Sequence, residues 1–420
     1  MMPAAASTRD APRLVPEIPG AALALAALVA PPLAVFAPLG LAPLLALLAL
    51  TLLAADRRGA LAALRARAAS AALLALLAAW GGATALWSPV PLHSLFEALR
   101  FLAIAAAGLL VMGAAQSLPE RQAARVGHAL LAGVILAILL LQLERHANQP
   151  IARAIAGLKP DQILWITRYD RGISVLLLMA WPAAAQLMAR RRLLATALLA
   201  LAVGATVFAY DSRTSILAFA FALPLAFIAW RLPRFVARSL FAGVLLMAFA
   251  LPLLAPGGAG IERIHRALPA LPSSAIHRLA IWRFTADAIA ERPLFGWGMD
   301  AARAVPGGKT PVDRFFPEVT IAPFAEVLPL HPHDAALQWR LELGLPGTLL
   351  ALALLGLALE GLAGLRVPPW RRALALGYAT AALAMALLSF GAWQAWWLST
   401  LWLGAAFLGR LGEEPGAEPG

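Results

Sequence analysis

The chain has 420 residues, 61% hydrophobic and only 13% charged, with a net charge of +12 and no cysteine. A soluble domain is about half apolar, so an ordinary soluble enzyme is excluded; the absence of cysteine excludes disulfides and thiolate chemistry. The basic excess does not mark a nucleic-acid-binding protein. Its cations fall mostly between apolar runs, where they act first as topology signals.

Residues 1–20 are polar, with Arg9 and Arg13 ahead of the first apolar run. Another span follows within a few residues, so an uncleaved first helix is expected rather than a signal peptide. Apolar runs long enough for a hydrocarbon core of about 30 Å predict helices at 21–37, 40–55, 70–87, 94–116, 126–144, 171–189, 193–209, 213–230, 238–256, 341–364, 372–391 and 393–409. The expected fold class is therefore an all-α polytopic membrane protein with about 12 transmembrane helices, forming one integral membrane domain over 1–420. With the N-terminus in the cytoplasm, the short inner loops carry Arg57, Arg58, Arg65 and Arg67, then Arg121 and Arg125, then Arg190, Arg191 and Arg192, then Arg231, Arg234 and Arg238, and finally Arg366, Arg371 and Arg372. That is the positive-inside pattern, with both termini cytoplasmic.

Two outer segments are basic as well. One carries Arg145, Arg153, Lys159, Arg168 and Arg171; the other is a large periplasmic loop at 257–340. Long loops cross largely regardless of charge, but a basic outer surface also suits an anionic, lipid-borne substrate. Within the large loop, 275–292 has apolar residues at helical spacing and reads as an amphipathic interfacial helix that Pro293 stops.

The candidate chemistry gathers on this outer side. His333, beside Asp334 and two residues after His331, stands near the start of the tenth span and is a candidate base, with a loop or capping histidine as the competing reading. A metal reading of His-x-His-Asp lacks obvious further ligands, since His265, His277 and Glu326 are scattered, and no metal or cofactor is expected. Arg213, at the outer entrance to the eighth span, offers a planar fork suited to phosphate; a pair with Asp211 competes. Arg278 lies four residues before Trp282, with snorkelling as its competing role. Arg171, Arg303 and Asp300 are further candidates for binding substrate. There is no Walker loop and no nucleophilic serine elbow.

His333-Asp334, followed nine residues later by Gly344-x-x-Gly347, resembles the signature of the O-antigen ligase and polymerase superfamily. Ser212-Arg213, the Arg278-x-x-x-Trp282 pattern, Pro293-Leu-Phe-Gly-Trp-Gly298 and the span layout match as well. The family usually has Asn, Ser or Gln where Asp334 stands, which leaves that residue's role open. The resemblance implies a glycosyltransferase that moves a glycan from an undecaprenyl-diphosphate carrier to the lipid A-core on the periplasmic face of a bacterial inner membrane. By implication it is inverting and metal-independent, with His333 as base, Arg213 and Arg278 as diphosphate clamps, and Arg171, Arg303, His331, Asp334 and Asp300 as substrate contacts. The ligase branch is favoured because one outer loop dominates. An O-antigen polymerase is the first alternative, and a flippase for lipid-linked sugars, which would carry charges in mid-membrane, is the second.

Overall fold

The computed structural model describes residues 17–159, 162, 164–319 and 325–409. The N-terminal segment with Arg9 and Arg13, and residues beyond 409, lie outside the described residues. In chain order the helices are α1 (Glu17–Phe36), α2 (Leu41–Ala55), a short α3 (Arg57–Arg65), α4 (Ala68–Ala83), α5 (Pro91–Ser117), α6 (Glu120–His146), a short α7 (Pro150–Ala156), α8 (Asp170–Ala189) and α9 (Leu193–Ala209). There follow α10 (Arg213–Arg231), α11 (Pro233–Phe249), the single turn α12 (Leu251–Leu254), α13 (Gly258–Ala267), α14 (Ser273–Glu291), the single turn α15 (Val312–Phe315), α16 (Ala335–Ala363), α17 (Pro369–Leu388) and α18 (Ala395–Leu408).

Among the described residues, nine helical segments are long and apolar enough to cross a membrane. The protein is an all-α polytopic membrane protein. Each of the twelve expected spans coincides with a helix. The three outside the nine are α9, α11 and α18, of 17, 17 and 14 residues. At 1.5 Å per residue, α18 reaches only about 21 Å.

The turns alternate between two ends of the bundle. At one end the basic short loops gather, where Arg125 pairs with Glu17 at 2.7 Å and Arg238 with Glu360 at 3.0 Å. At the other end lies the polar segment that runs from α12 to α16. Its helices do not stand apart from the bundle. Ile261 of α13 and Ile276, Phe284 and Ile289 of α14 share one buried core with Trp297, Val312, Val327 and, from the first turns of α16, Leu337 and Leu341. The helix expected at 275–292 is thus present, and its apolar face is filled by the protein itself. On the far side, α8 is buried along most of its length between α1, α6, α17 and α18.

Among the boundaries that differ from expectation, two shape the site. The tenth span begins six residues earlier than predicted, because Asp334 caps it: its side chain accepts from the backbone N–H of Ala336 and Leu337. Residues 389–394 are not helical, so α17 ends before its predicted end and α18 is shorter than predicted. Non-helical backbone at membrane depth is tolerated where protein satisfies it, and here it serves neighbouring side chains. Gln338 Oε1 accepts from Ala392 N at 2.8 Å, and the Ser389 carbonyl holds His333.

The two short glycine motifs also find a common physical reason. Gly344 has φ 62° and ψ −157°, which breaks α16 locally. The Pro293–Gly298 turn docks against this break: Leu345 N donates to Leu294 O (2.9 Å), Trp297 N to Leu341 O (2.9 Å) and Gly298 N to Glu342 O (2.8 Å). A Cβ on Gly344 would stand 2.1 Å from Leu294 O. Gly344→Ala should therefore destabilise the protein by more than about 2 kcal/mol, combining the cost of a non-glycine residue at this φ with a backbone clash. Gly361→Ala, where a Cβ meets nothing within 4 Å, should be neutral or stabilising by about 0.5–1 kcal/mol. Thermal melts of both variants in detergent check the pair; equal melting temperatures would remove the close approach as a constraint.

Candidate functional site

The segment from His331 to Asp334 is held at every residue. Asp334 is 1% exposed, and its Oδ1 accepts from Ala336 N (2.8 Å) and Leu337 N (3.0 Å), while Oδ2 has no partner. The small polar residue of the signature is thus a helix N-cap, a task that Asp, Asn and Ser all perform. This gives residue 334 a structural role. His333, one residue earlier, has φ 55°, uncommon outside glycine. Its backbone N–H donates to His331 Nδ1 at 3.2 Å, and the two rings lie 4.4 Å apart.

The tautomers follow from these partners. His333 Nδ1 is 2.7 Å from the carbonyl oxygen of Ser389, which can only accept. The proton therefore sits on Nδ1 and leaves Nε2 as a bare acceptor. Burial lowers the His333 pKa to about 4, with the Ser389 hydrogen bond opposing and the charges of Arg278 and His277 adding to the drop. At neutral pH the ring is an uncharged base. His331 is 6% exposed, and burial lowers it to about 3, helped by His333, Arg303 and Arg171. Its Nδ1 is an acceptor, so its proton lies on Nε2, 3.4 Å from the Gln394 amide nitrogen. Turning that amide brings in Oε1, which otherwise has no partner, as the matching acceptor. His331 then acts as a neutral brace for the strained backbone of His333.

Arginines surround this pair. Arg278 and Trp282 are one turn apart on α14 and face the same way. Trp282 Nε1 donates to Pro332 O at 3.1 Å, which fixes α14 against the histidine segment and brings Arg278 beside His333. Burial draws the Arg278 pKa below its ordinary value, and its Nε has no hydrogen-bond partner. Arg171, at the start of α8, lies 5.6 Å from the ring of Trp396, and its charge acts on His331, as does that of Arg303. Arg213 is joined to none of these residues by a hydrogen bond or ion pair. It is exposed at the start of α10 and lies 3.6 Å from Asp211, the competing reading from sequence.

Asp300 occupies the next layer. Its Oδ2 is 2.8 Å from His93 Nε2 and 3.8 Å from Arg303. Its backbone N–H donates to Glu342, which the sequence reading passed over. Glu342 is fully buried on α16 and accepts from Asp300 N (2.9 Å), Ala302 N (3.2 Å), Gln338 Nε2 (3.1 Å) and Trp393 Nε1 (2.6 Å). It ties the loop, α16 and the 389–394 segment to one carboxylate. An acid inside an apolar helix was the available signal. His93, Glu97 and Asp300 bring ligand-type atoms within 4.8 Å of one another. Glu97 is also ion-paired to Arg100 and Asp300 faces Arg303, so guanidinium groups already balance both carboxylates.

A multi-pass helical membrane protein with an uncharged histidine and a group of arginines at one end of its bundle is equipped to handle an anionic substrate at a membrane boundary. Residues 195–352 match the family model described as O-antigen ligase, a stretch that contains Arg213, Arg278, Arg303, His331, His333 and both signature glycines. A Rickettsia conorii protein named "Putative polysaccharide ligase" is 29% identical over 70% of this chain and 70% of its own length. A Rickettsia prowazekii protein with the same description is 27% identical over 77% and 76%. Over these stretches the chain is similar to O-antigen ligases and to proteins named polysaccharide ligases.

The cap role of Asp334 yields a test. Burial raises its carboxyl to about 7, against the opposing backbone N–H bonds of Leu337 and Ala336. A raised folded-state pKa contributes stability that is full below the ordinary carboxylate value and is lost as pH rises through about 7. Asp334→Asn keeps the cap without the charge, so its melting temperature should gain on the wild type as pH goes from 6 to 8. Asp334→Ala should lose about 1 kcal/mol at pH 6, where the cap is largely uncharged, and less at pH 8. Parallel melting curves for wild type and Asn across that range would contradict the buried-charge account.

Proposed function

We propose that the protein is a membrane glycosyltransferase that ligates a glycan from an undecaprenyl-diphosphate carrier to a sugar hydroxyl of the lipid A-core. In this reading the chain is one integral membrane domain in a bacterial inner membrane, with both termini cytoplasmic and the loop of 257–340 periplasmic. The basic short loops at one end of the bundle and the histidine–arginine pocket at the other support that orientation. The superfamily match supports the reaction class.

The observation that carries the chemistry is the hydrogen bond from His333 Nδ1 to Ser389 O, because it leaves Nε2 free at neutral pH. The acceptor hydroxyl gives its proton to Nε2 as its oxygen bonds to the anomeric carbon. The bond from that carbon to the diphosphate breaks, and its electron pair leaves with the phosphate. One direct displacement inverts the anomeric centre. The developing charge is met by Arg278, with its unused Nε, and by Arg171 and Arg303 at the same pocket. Arg213 joins them as a clamp from the adjacent helix end, since Ser215 on its helix bonds Ser174 on the helix of Arg171. The donor set for the leaving group consists of guanidinium groups, so no metal is assigned a step.

His333→Ala should lower glycan transfer by about 10²–10⁴-fold, the range for a positioned base. His331→Ala should cost less, because it braces the base without receiving the proton. Transfer from a lipid-diphosphate donor by purified variants measures both; near-normal turnover of His333→Ala would remove it from the mechanism.

Arg278→Lys should recover little of what Arg278→Ala loses. A planar fork binds two phosphate oxygens together, while an ammonium is a point donor. Near wild-type transfer by the Lys variant at matched expression would reduce Arg278 to a general positive charge.

A further inference from the structure

Beside the histidine pocket, the 303–314 segment and Val90 line an open pocket of about 760 Å³. Small-molecule sites run from roughly 300 to 1,000 Å³. Three cations line it, Arg303, Lys309 and Arg314, and among the described residues no carboxylate does. Lys309 and Arg314 make no ion pair among the described residues, and Arg303 reaches only Asp300, at 3.8 Å. Cations sharing one cavity repel each other unless an anion lies between them. The walls are not a loose solvated loop. Val312 N donates to Ala325 O (2.8 Å), Val327 N to Thr310 O (3.0 Å) and Leu328 N to Gly308 O (2.8 Å), which ties the segment to residues 325–328. Val90, Val305 and Pro311 add apolar surface between the charges, as the faces of sugar rings require.

Arg303 belongs to both places, since it lines the cavity and its charge acts on His331. A ligand in the open pocket is therefore one arginine away from His331, the residue that braces the base. We infer that this cavity is a subsite for an anionic sugar, a ring carrying phosphate or carboxylate, on one of the two glycans that meet at His333. The inference rests on the glycan-transfer reading and names a substrate feature that it leaves open. Guanidinium and ammonium groups recognise phosphate and carboxylate alike, while the apolar walls and the room for more than one ring favour a saccharide over a free inorganic ion.

The test uses full-length protein in lipid nanodiscs. One probe is a fluorescently labelled core oligosaccharide that carries phosphate and carboxylate groups; the other is a neutral oligosaccharide of equal length. The Lys309→Ala/Arg314→Ala double variant should bind the anionic probe roughly ten-fold more weakly, as expected when two charge-assisted contacts are lost, with no change for the neutral one. Unchanged affinity for the anionic probe, or an equal loss for both probes, would overturn the subsite. In transfer assays with the same variant, kcat should stay near wild type. A raised KM for the acceptor assigns the subsite to the acceptor glycan and a raised KM for the donor to the donor glycan; no change in either overturns it. Turnover by the wild type in the same preparation tests the underlying reading separately, because the binding measurement needs no turnover.

Discussion

The hydrogen bond from the His333 ring to the Ser389 carbonyl is the constraint on which the site depends. A histidine at the mouth of a membrane helix could present either nitrogen, or both protonated. The carbonyl removes that freedom: it holds the proton on Nδ1, turns Nε2 outwards and fixes the ring plane. Burial then disfavours the charged form, so the ring keeps its lone pair well below neutral pH. The bond has a structural cost, because a carbonyl is available only where the backbone leaves the helix. The break between α17 and α18 supplies it, and α18 is correspondingly short.

The same economy of backbone recurs around Glu342. Its carboxylate gathers two loop N–H groups, an amide and an indole N–H, and so closes the loop, α16 and the 389–394 segment about one point. A buried acid is costly unless its oxygens are fully hydrogen-bonded, and here both accept two donors. Gly344 and Gly296 let the Pro293–Gly298 turn approach the α16 backbone closely enough for this closure, since a Cβ on either would lie within 2.6 Å of a backbone oxygen. The glycine motif and the Pro-Leu-Phe-Gly-Trp-Gly turn are two halves of one contact. Together with the Asp334 cap they set where α16 begins, and hence where His333 stands.

Much of this was legible in the sequence. The spans were, because membrane helices satisfy their own backbone and announce themselves by hydropathy. His333, Arg278 and Trp282 were legible as motif residues, and the structure adds the reason: Trp282 pins Pro332, which brings Arg278 to the histidine. The role of Asp334 was open in sequence because capping depends on where a helix starts, and the apolar pattern alone put that start six residues too late. Ser389 could not be read at all, since its contribution is a carbonyl that any residue carries. Glu342 looked like one polar position among many on a helix, and only the fold reveals four donors converging on it. His93 meets Asp300 across 207 residues of sequence, a pairing that no local pattern encodes.

The account turns on one protonation state, and that state can be observed without turnover. Nitrogen-15 spectra of histidine-labelled full-length protein in lipid, with the His333 signal assigned by its loss in His333→Gln, report which ring nitrogen holds the proton. The account predicts a neutral His333 at pH 7, protonated on Nδ1, with Nε2 free. An imidazolium at pH 7, or a neutral ring protonated on Nε2, would contradict it.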